Sequence, residues 1–143
     1  MKILSIDLGE KMAGIAICNE KEIVSYPLEV IVEENREVLV EKISNLTKSN
    51  GVEMVLVGLA RNMDGSYGDK ARICEKFAEK IKERLKMPVA LWDERQTTKL
   101  AMRYMNESNT KKKKKKKIVD SIAATIILES FIEYKKNNRI NLV

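Results

Sequence analysis

The chain contains no histidine. That absence excludes a Ser-His-Asp or Cys-His nucleophile, an imidazole general base and a histidine-ligated zinc. Cysteine is scarce too. Cys18 and Cys74 are the only two, and they share no metal-ligand spacing. They read as reduced, buried thiols rather than a disulfide framework. No apolar run approaches the ~18 residues that would suggest a membrane span. The N-terminus is strand-like and lacks a signal-peptide pattern, so a cytoplasmic place and no membrane partner are expected. There is no Pro/Ser-rich linker and no internal repeat. No GxGxxG follows a strand and no GxxxxGK[ST] occurs, so nucleotide binding by either route is not indicated.

What remains is acid and lysine. The 143 residues amount to one ordinary domain, with 44% hydrophobic residues to build its core. Formal net charge is +6, from 27 basic and 21 acidic residues. Seven of those positive charges are consecutive: Lys111, Lys112, Lys113, Lys114, Lys115, Lys116 and Lys117. Without them 20 basic residues face 21 acidic ones, a net of −1. The basicity is one local patch. It suits a polyanion, though a solvated lysine tract has the same composition.

Periodicity orders the chain. Lys2–Leu8 is apolar on both faces, which predicts a central strand. Gly14–Cys18 reads as the returning strand of a hairpin, and Glu22–Leu28 as an edge strand closed by Pro27. A helical stripe follows at Val38, Leu39, Ile43 and Leu46, ended by Asn50-Gly51. Met54–Val57 is a short buried strand. Cys74, Phe77, Ala78, Ile81 and Leu85 mark the next helix, with Ser66 as a possible cap. Val89–Trp92 is a fifth strand. A helix capped by Thr97 or Thr98 and a last helix from about Ile118 to Tyr134 complete the order βββαβαβαα. This predicts an α/β protein with a mixed five-stranded sheet, three antiparallel strands and then parallel ones, and helices on both faces. It is the element order of the ribonuclease H-like fold.

Three carboxylates stand in core-type positions. Asp7 shares a strand face with Ile3 and Ser5, or else belongs to the turn that ends the strand. Glu94 ends the fifth strand, while its neighbour Asp93 alternates to the other face. Asp120 lies inside the apolar stripe of the last helix, between Ile127 and Phe131 on the helical wheel. Glu94 and Asp120 are also where a helix dipole would favour an acid. Buried carboxylates need a partner or a metal. Three together suggest a shared acidic site, and with oxygen ligands alone the fitting ions are Mg²⁺ or Mn²⁺. The loop Gly58–Gly68 joins a strand to a helix. It offers Arg61, Asn62 and Ser66 as donors where α/β sheets bind ligands.

Four segments together resemble the YqgF family of pre-16S rRNA nucleases, relatives of the Holliday-junction resolvases. They are Ile6-Asp-Leu-Gly9 with Gly14-Ile-Ala-Ile17; Gly58-Leu-Ala-Arg-Asn-Met-Asp-Gly-Ser-Tyr-Gly68; Trp92-Asp-Glu-Arg-Gln-Thr-Thr98 with Ala101; and Lys117-Ile-Val-Asp-Ser-Ile-Ala-Ala124 with Ile127-Leu128. The resemblance implies a ribonuclease H-like fold and a metal-dependent phosphodiesterase. It maps the catalytic, metal-holding acids onto Asp7, Glu94 and Asp120. It implies work on the 5′ end of the small-subunit rRNA precursor, with the precursor particle as a partner. An arginine is usual where this chain has Met12, and a proline where it has Ala60. Lys11 is the neighbouring candidate for the lost phosphate contact. Arg61, Asn62, Ser66, Arg95 and the lysine run are the expected nucleic-acid contacts. Cleavage of branched DNA, or binding without cleavage, are the other readings. One half of an actin-like ATPase ranks last, because such enzymes close two domains over ATP. Monomer and homodimer both remain open.

Overall fold

The computed structural model describes residues 1–59, 68–93 and 122–136. Their elements are β1 (Ile3–Leu8), β2 (Met12–Cys18), β3 (Ser25–Val32), α1 (Arg36–Asn50), β4 (Met54–Leu59), α2 (Asp69–Leu85) and β5 (Val89–Asp93). A further helix, α3, covers residues 122–136. The strands form one sheet in the order β3-β2-β1-β4-β5. β1, β2 and β3 pair antiparallel; β4 joins β1, and β5 joins β4, in parallel. The expected mixed sheet is therefore the observed one.

Local chemistry sets the turns. Gly9 N–H donates to Met12 O at 2.8 Å. A Cβ on Gly9 would lie 2.6 Å from that same oxygen, so no side chain fits. In the next turn Asn19 Oδ1 accepts from Ile23 N and Val24 N. Asn35 caps α1 by accepting from Glu37 N and Val38 N. Gly51 closes α1 at φ 65°, a left-handed conformation that glycine adopts without cost.

Alternation sorts the strand residues onto two faces. On one face Leu4, Ile6, Ile15, Ile17, Val55 and Val57 pack against Leu39 and Ile43 of α1 and Phe77 and Ile81 of α2. On the other, Ile3, Ala16, Cys18 and Leu56 pack against Ala124, Ile127, Leu128 and Ile132 of α3. Helices thus cover both faces. Cys18 and Cys74 are buried and unpaired with each other. Burial pushes the Cys18 thiol pKa up, which keeps it protonated and unreactive. Among the described residues no helix is long and apolar enough to cross a membrane.

Three local expectations need correction. The third strand runs Ser25–Val32, later than Glu22–Leu28. Asn19 and Glu22, at φ 56°, hold the preceding residues in a turn. Pro27 does not close the strand, because an edge strand with a bulge in its register tolerates a missing donor. Val38 is exposed; Leu39, Val40 and Ile43 carry the buried stripe of α1. The N-cap of α2 is Gly68, which makes no side-chain bond, rather than Ser66. The helix expected after Thr97 or Thr98 lies outside the described residues, as does the start of the last helix.

Candidate active site

Asp7 stands on β1, the middle strand of the sheet. Ile3, two positions before Ser5, faces α3. Ser5 does too, since its hydroxyl donates to Ala124 O at 2.6 Å. Alternation therefore puts Asp7 on the α3 face, where it is half-buried. It belongs to the strand and not to the turn, because its register with Gly14 of β2 is part of the ladder. On the other side Ile6 pairs with Val57, so one further step of the parallel ladder brings Asp7 alongside Gly58. Gly58 in turn pairs with Trp92 of β5. The row across the sheet reads Val30, Gly14, Asp7, Gly58, Trp92.

The direction of α3 follows from its two ends. Near its start Ala124 meets Ser5. Near its finish Lys135 Nζ lies 2.9 Å from Glu22, which also takes the N-terminal ammonium at 3.5 Å. The helix therefore runs opposite to β1, and its N-terminal direction leads toward the strand end that carries Asp7. The positive end of the helix dipole is directed the same way, which favours acids and phosphates there.

At the β5 side Trp92 covers α3. Its ring centroid is 5.5 Å from Phe131 and 5.1 Å from Tyr134, and its indole N–H donates to Ser130 Oγ at 3.2 Å. Asp93, one residue on and half-buried, follows Trp92 on the opposite face of β5 by strand alternation. The turn after β1 forms the rim at this end. Lys11 is exposed there, with Glu34 at 3.9 Å. Met12 starts β2 opposite Val32. Arg36, the first residue of α1, donates from Nη2 to Gly9 O at 3.2 Å, while its Nη1 is buried without a hydrogen-bond partner.

Of the expected site residues, the structure describes Asp7 and Lys11. Glu94, Asp120, Arg61, Asn62, Ser66, Arg95 and Lys111 to Lys117 lie outside the described residues. Among the described residues no three acidic, cysteine or histidine side chains form a metal-holding group. Sequence reasoning passed over Gly14, Gly58, Ser5 and Arg36. Gly14 was expected at the start of the second strand and Gly58 in the loop after the fourth, whereas both lie inside strands, a pattern that marks a close approach of ligand or backbone.

The family model of RuvX, described as Holliday junction resolvase, matches residues 1–134. The chain belongs to the RuvX family. A RuvX relative from Bacillus cytotoxicus, named "Putative pre-16S rRNA nuclease", is 37% identical over 137 residues, covering 94% of this chain and all of the relative. Two solved structures share the RuvX chain's fold. One is T. thermophilus RuvC in complex with a Holliday junction substrate, at TM-score 0.60 and 14% identity, covering 96% of each chain. The other is Fowlpox virus resolvase with Holliday junction DNA, at TM-score 0.54 and 15% identity, covering 94% of this chain and 98% of that one. The YqgF-type resemblance and the ribonuclease H-like, resolvase-type fold expected from the sequence are both borne out.

Proposed function

We propose that this RuvX chain is a divalent-metal-dependent nuclease that hydrolyses nucleic-acid phosphodiesters, with the 5′ end of precursor small-subunit rRNA as its substrate. The single observation that carries this reading is the position of Asp7. A half-buried carboxylate on a central strand, in a row with glycine on both sides, fits an oxygen-ligated cation better than a packed core. In sequence Glu94 directly follows Asp93, the last residue of β5. Asp120 stands in sequence two residues before the described part of α3, whose N-terminal direction leads toward Asp7. Both relations support a shared site of Asp7, Glu94 and Asp120 holding Mg²⁺ or Mn²⁺.

Without a cation, three crowded carboxylates repel and partly protonate. The metal, when bound, supplies an activated water and charge stabilisation at the phosphodiester. The chain's own residues then have two tasks. Asp7, Glu94 and Asp120 would hold the cation at the end of β1. Lys11, Arg61, Asn62, Ser66, Arg95 and Lys111 to Lys117 neutralise and orient the nucleic-acid backbone. Such contacts are largely sequence-blind, so target choice rests on RNA shape or on the precursor ribosomal particle. The name of the Bacillus cytotoxicus relative supports the rRNA substrate.

Branched DNA is the second reading, favoured by the fold shared with two resolvases solved on junction DNA. A substrate panel separates them. Precursor rRNA, single-stranded RNA and a four-way DNA junction are offered with Mg²⁺, Mn²⁺ or EDTA. Metal-dependent cutting near the mature 5′ end of the rRNA is the expected result. Cutting of the junction alone would replace that substrate assignment, and binding in EDTA with no cutting in any metal would refute the nuclease reading.

A further inference from the structure

Gly14 and Gly58 need a reason. Both lie inside buried strands next to the middle strand. Neither has the positive φ that favours glycine; among the described glycines only Gly51 does. Backbone conformation therefore does not require them, and a glycine inside a strand weakens it. Their places in the sheet are specific. One row earlier on the same face stand Ala16, Ser5, Leu56 and Ala90, and the row before that holds Cys18, Ile3 and Met54. These rows carry side chains and are covered by α3. At the Asp7 row the side chains stop on both sides of the carboxylate.

We infer that Gly14 and Gly58 are positioning residues for metal and phosphate at Asp7: they keep the two flanking positions bare, so that a hydrated divalent cation and a phosphodiester can seat against the sheet. The inference rests on the metal-nuclease reading and deepens it. A methyl group at either position would occupy space beside the carboxylate on the face where the ligand must lie. It would not remove a ligand or a charge. The effect is thus on access and coordination geometry, with the strand kept.

The test is Mn²⁺ binding, read by electron paramagnetic resonance on the full chain, with Gly14→Ala and Gly58→Ala as separate variants. Ile15→Val, on the opposite face of β2, is the control for a general disturbance of the strand. The glycine variants should bind Mn²⁺ about tenfold more weakly or worse, as neighbours of metal ligands typically do when altered. Their melting temperature in EDTA should match or exceed that of the unaltered chain. Ile15→Val should lower melting temperature and leave Mn²⁺ binding unchanged. Mn²⁺ affinity equal to the unaltered chain in either folded variant overturns the inference, whatever the activity. Failure of both variants to fold in EDTA also overturns it, because the glycines then serve helix packing. An unaltered chain that binds no Mn²⁺ overturns the nuclease reading and this inference together. Equal binding in the variants alone overturns only the inference.

Discussion

At the scale of single residues Asp7 carries the proposed role. A carboxylate half-buried on the covered face of the middle strand loses hydration, and neighbouring acids would add repulsion. Asp7→Asn keeps the shape and removes the charge. It should abolish cleavage and leave far-ultraviolet circular dichroism unchanged. In EDTA its melting temperature should equal or exceed that of the unaltered chain; full activity in this variant would refute the role given to Asp7. Ser5 does the opposite work. Its buried hydroxyl joins β1 to α3 across 119 residues. Ser5→Ala should cost about 1 kcal/mol in urea unfolding, the usual worth of such a bond. Asp7 was legible in the sequence because Ile3 and Ser5 fix its face by alternation. The bare positions beside it were not. Cross-strand register is a property of pairing, and one strand's sequence does not state which residue its neighbour places opposite.

At the scale of elements, the two faces of the sheet are fastened differently. α1 and α2 share the larger core and are also joined by exposed pairs, Lys80–Glu37 and Arg84–Glu41, each at 2.6 Å. The Arg84 guanidinium holds the Glu41 carboxyl below its ordinary pKa. The sign follows directly. The contribution is present above the ordinary carboxyl pKa and is lost as pH falls through the lowered folded value. Arg84→Gln should therefore lower melting temperature slightly at neutral pH and flatten its decline on acidification; an unchanged acid limb would show the pair to be idle. α3 has a smaller core, so single residues weigh more. Leu128, fully buried against the sheet, should cost about 2–5 kcal/mol when truncated to alanine. Because α3 leads toward the Asp7 end, that variant should lose activity at temperatures where the rest of the chain remains folded. Helices were legible from period 3.6, and the central strands from short apolar runs bounded by turn residues. The bounds of β3 were not: its edge position was legible, but Pro27 does not end an edge strand, where a missing N–H is tolerated.

At the scale of the whole molecule, the charge is local and the proposed site is dispersed, the lysine run ending three residues before Asp120. The net charge of +6 is owed to Lys111 to Lys117, while the proposed acids are distributed from Asp7 to Asp120. Replacing Lys111 to Lys115 with serine should weaken RNA binding and reduce the log–log salt slope by about 0.7–0.9 per lysine that meets a phosphate. Turnover at saturating substrate should change little. An unchanged slope would make the tract a solvated one. The central claim is that one acidic, metal-holding site at the end of β1 does the chemistry. The measurement that tests it most directly is an anomalous difference map from crystals of the full chain grown with Mn²⁺. The account predicts a peak beside Asp7, with oxygens of Asp7, Glu94 and Asp120 at roughly 2.1 Å. A peak held by other residues, or no peak in crystals of protein that cleaves RNA with Mn²⁺, would contradict it.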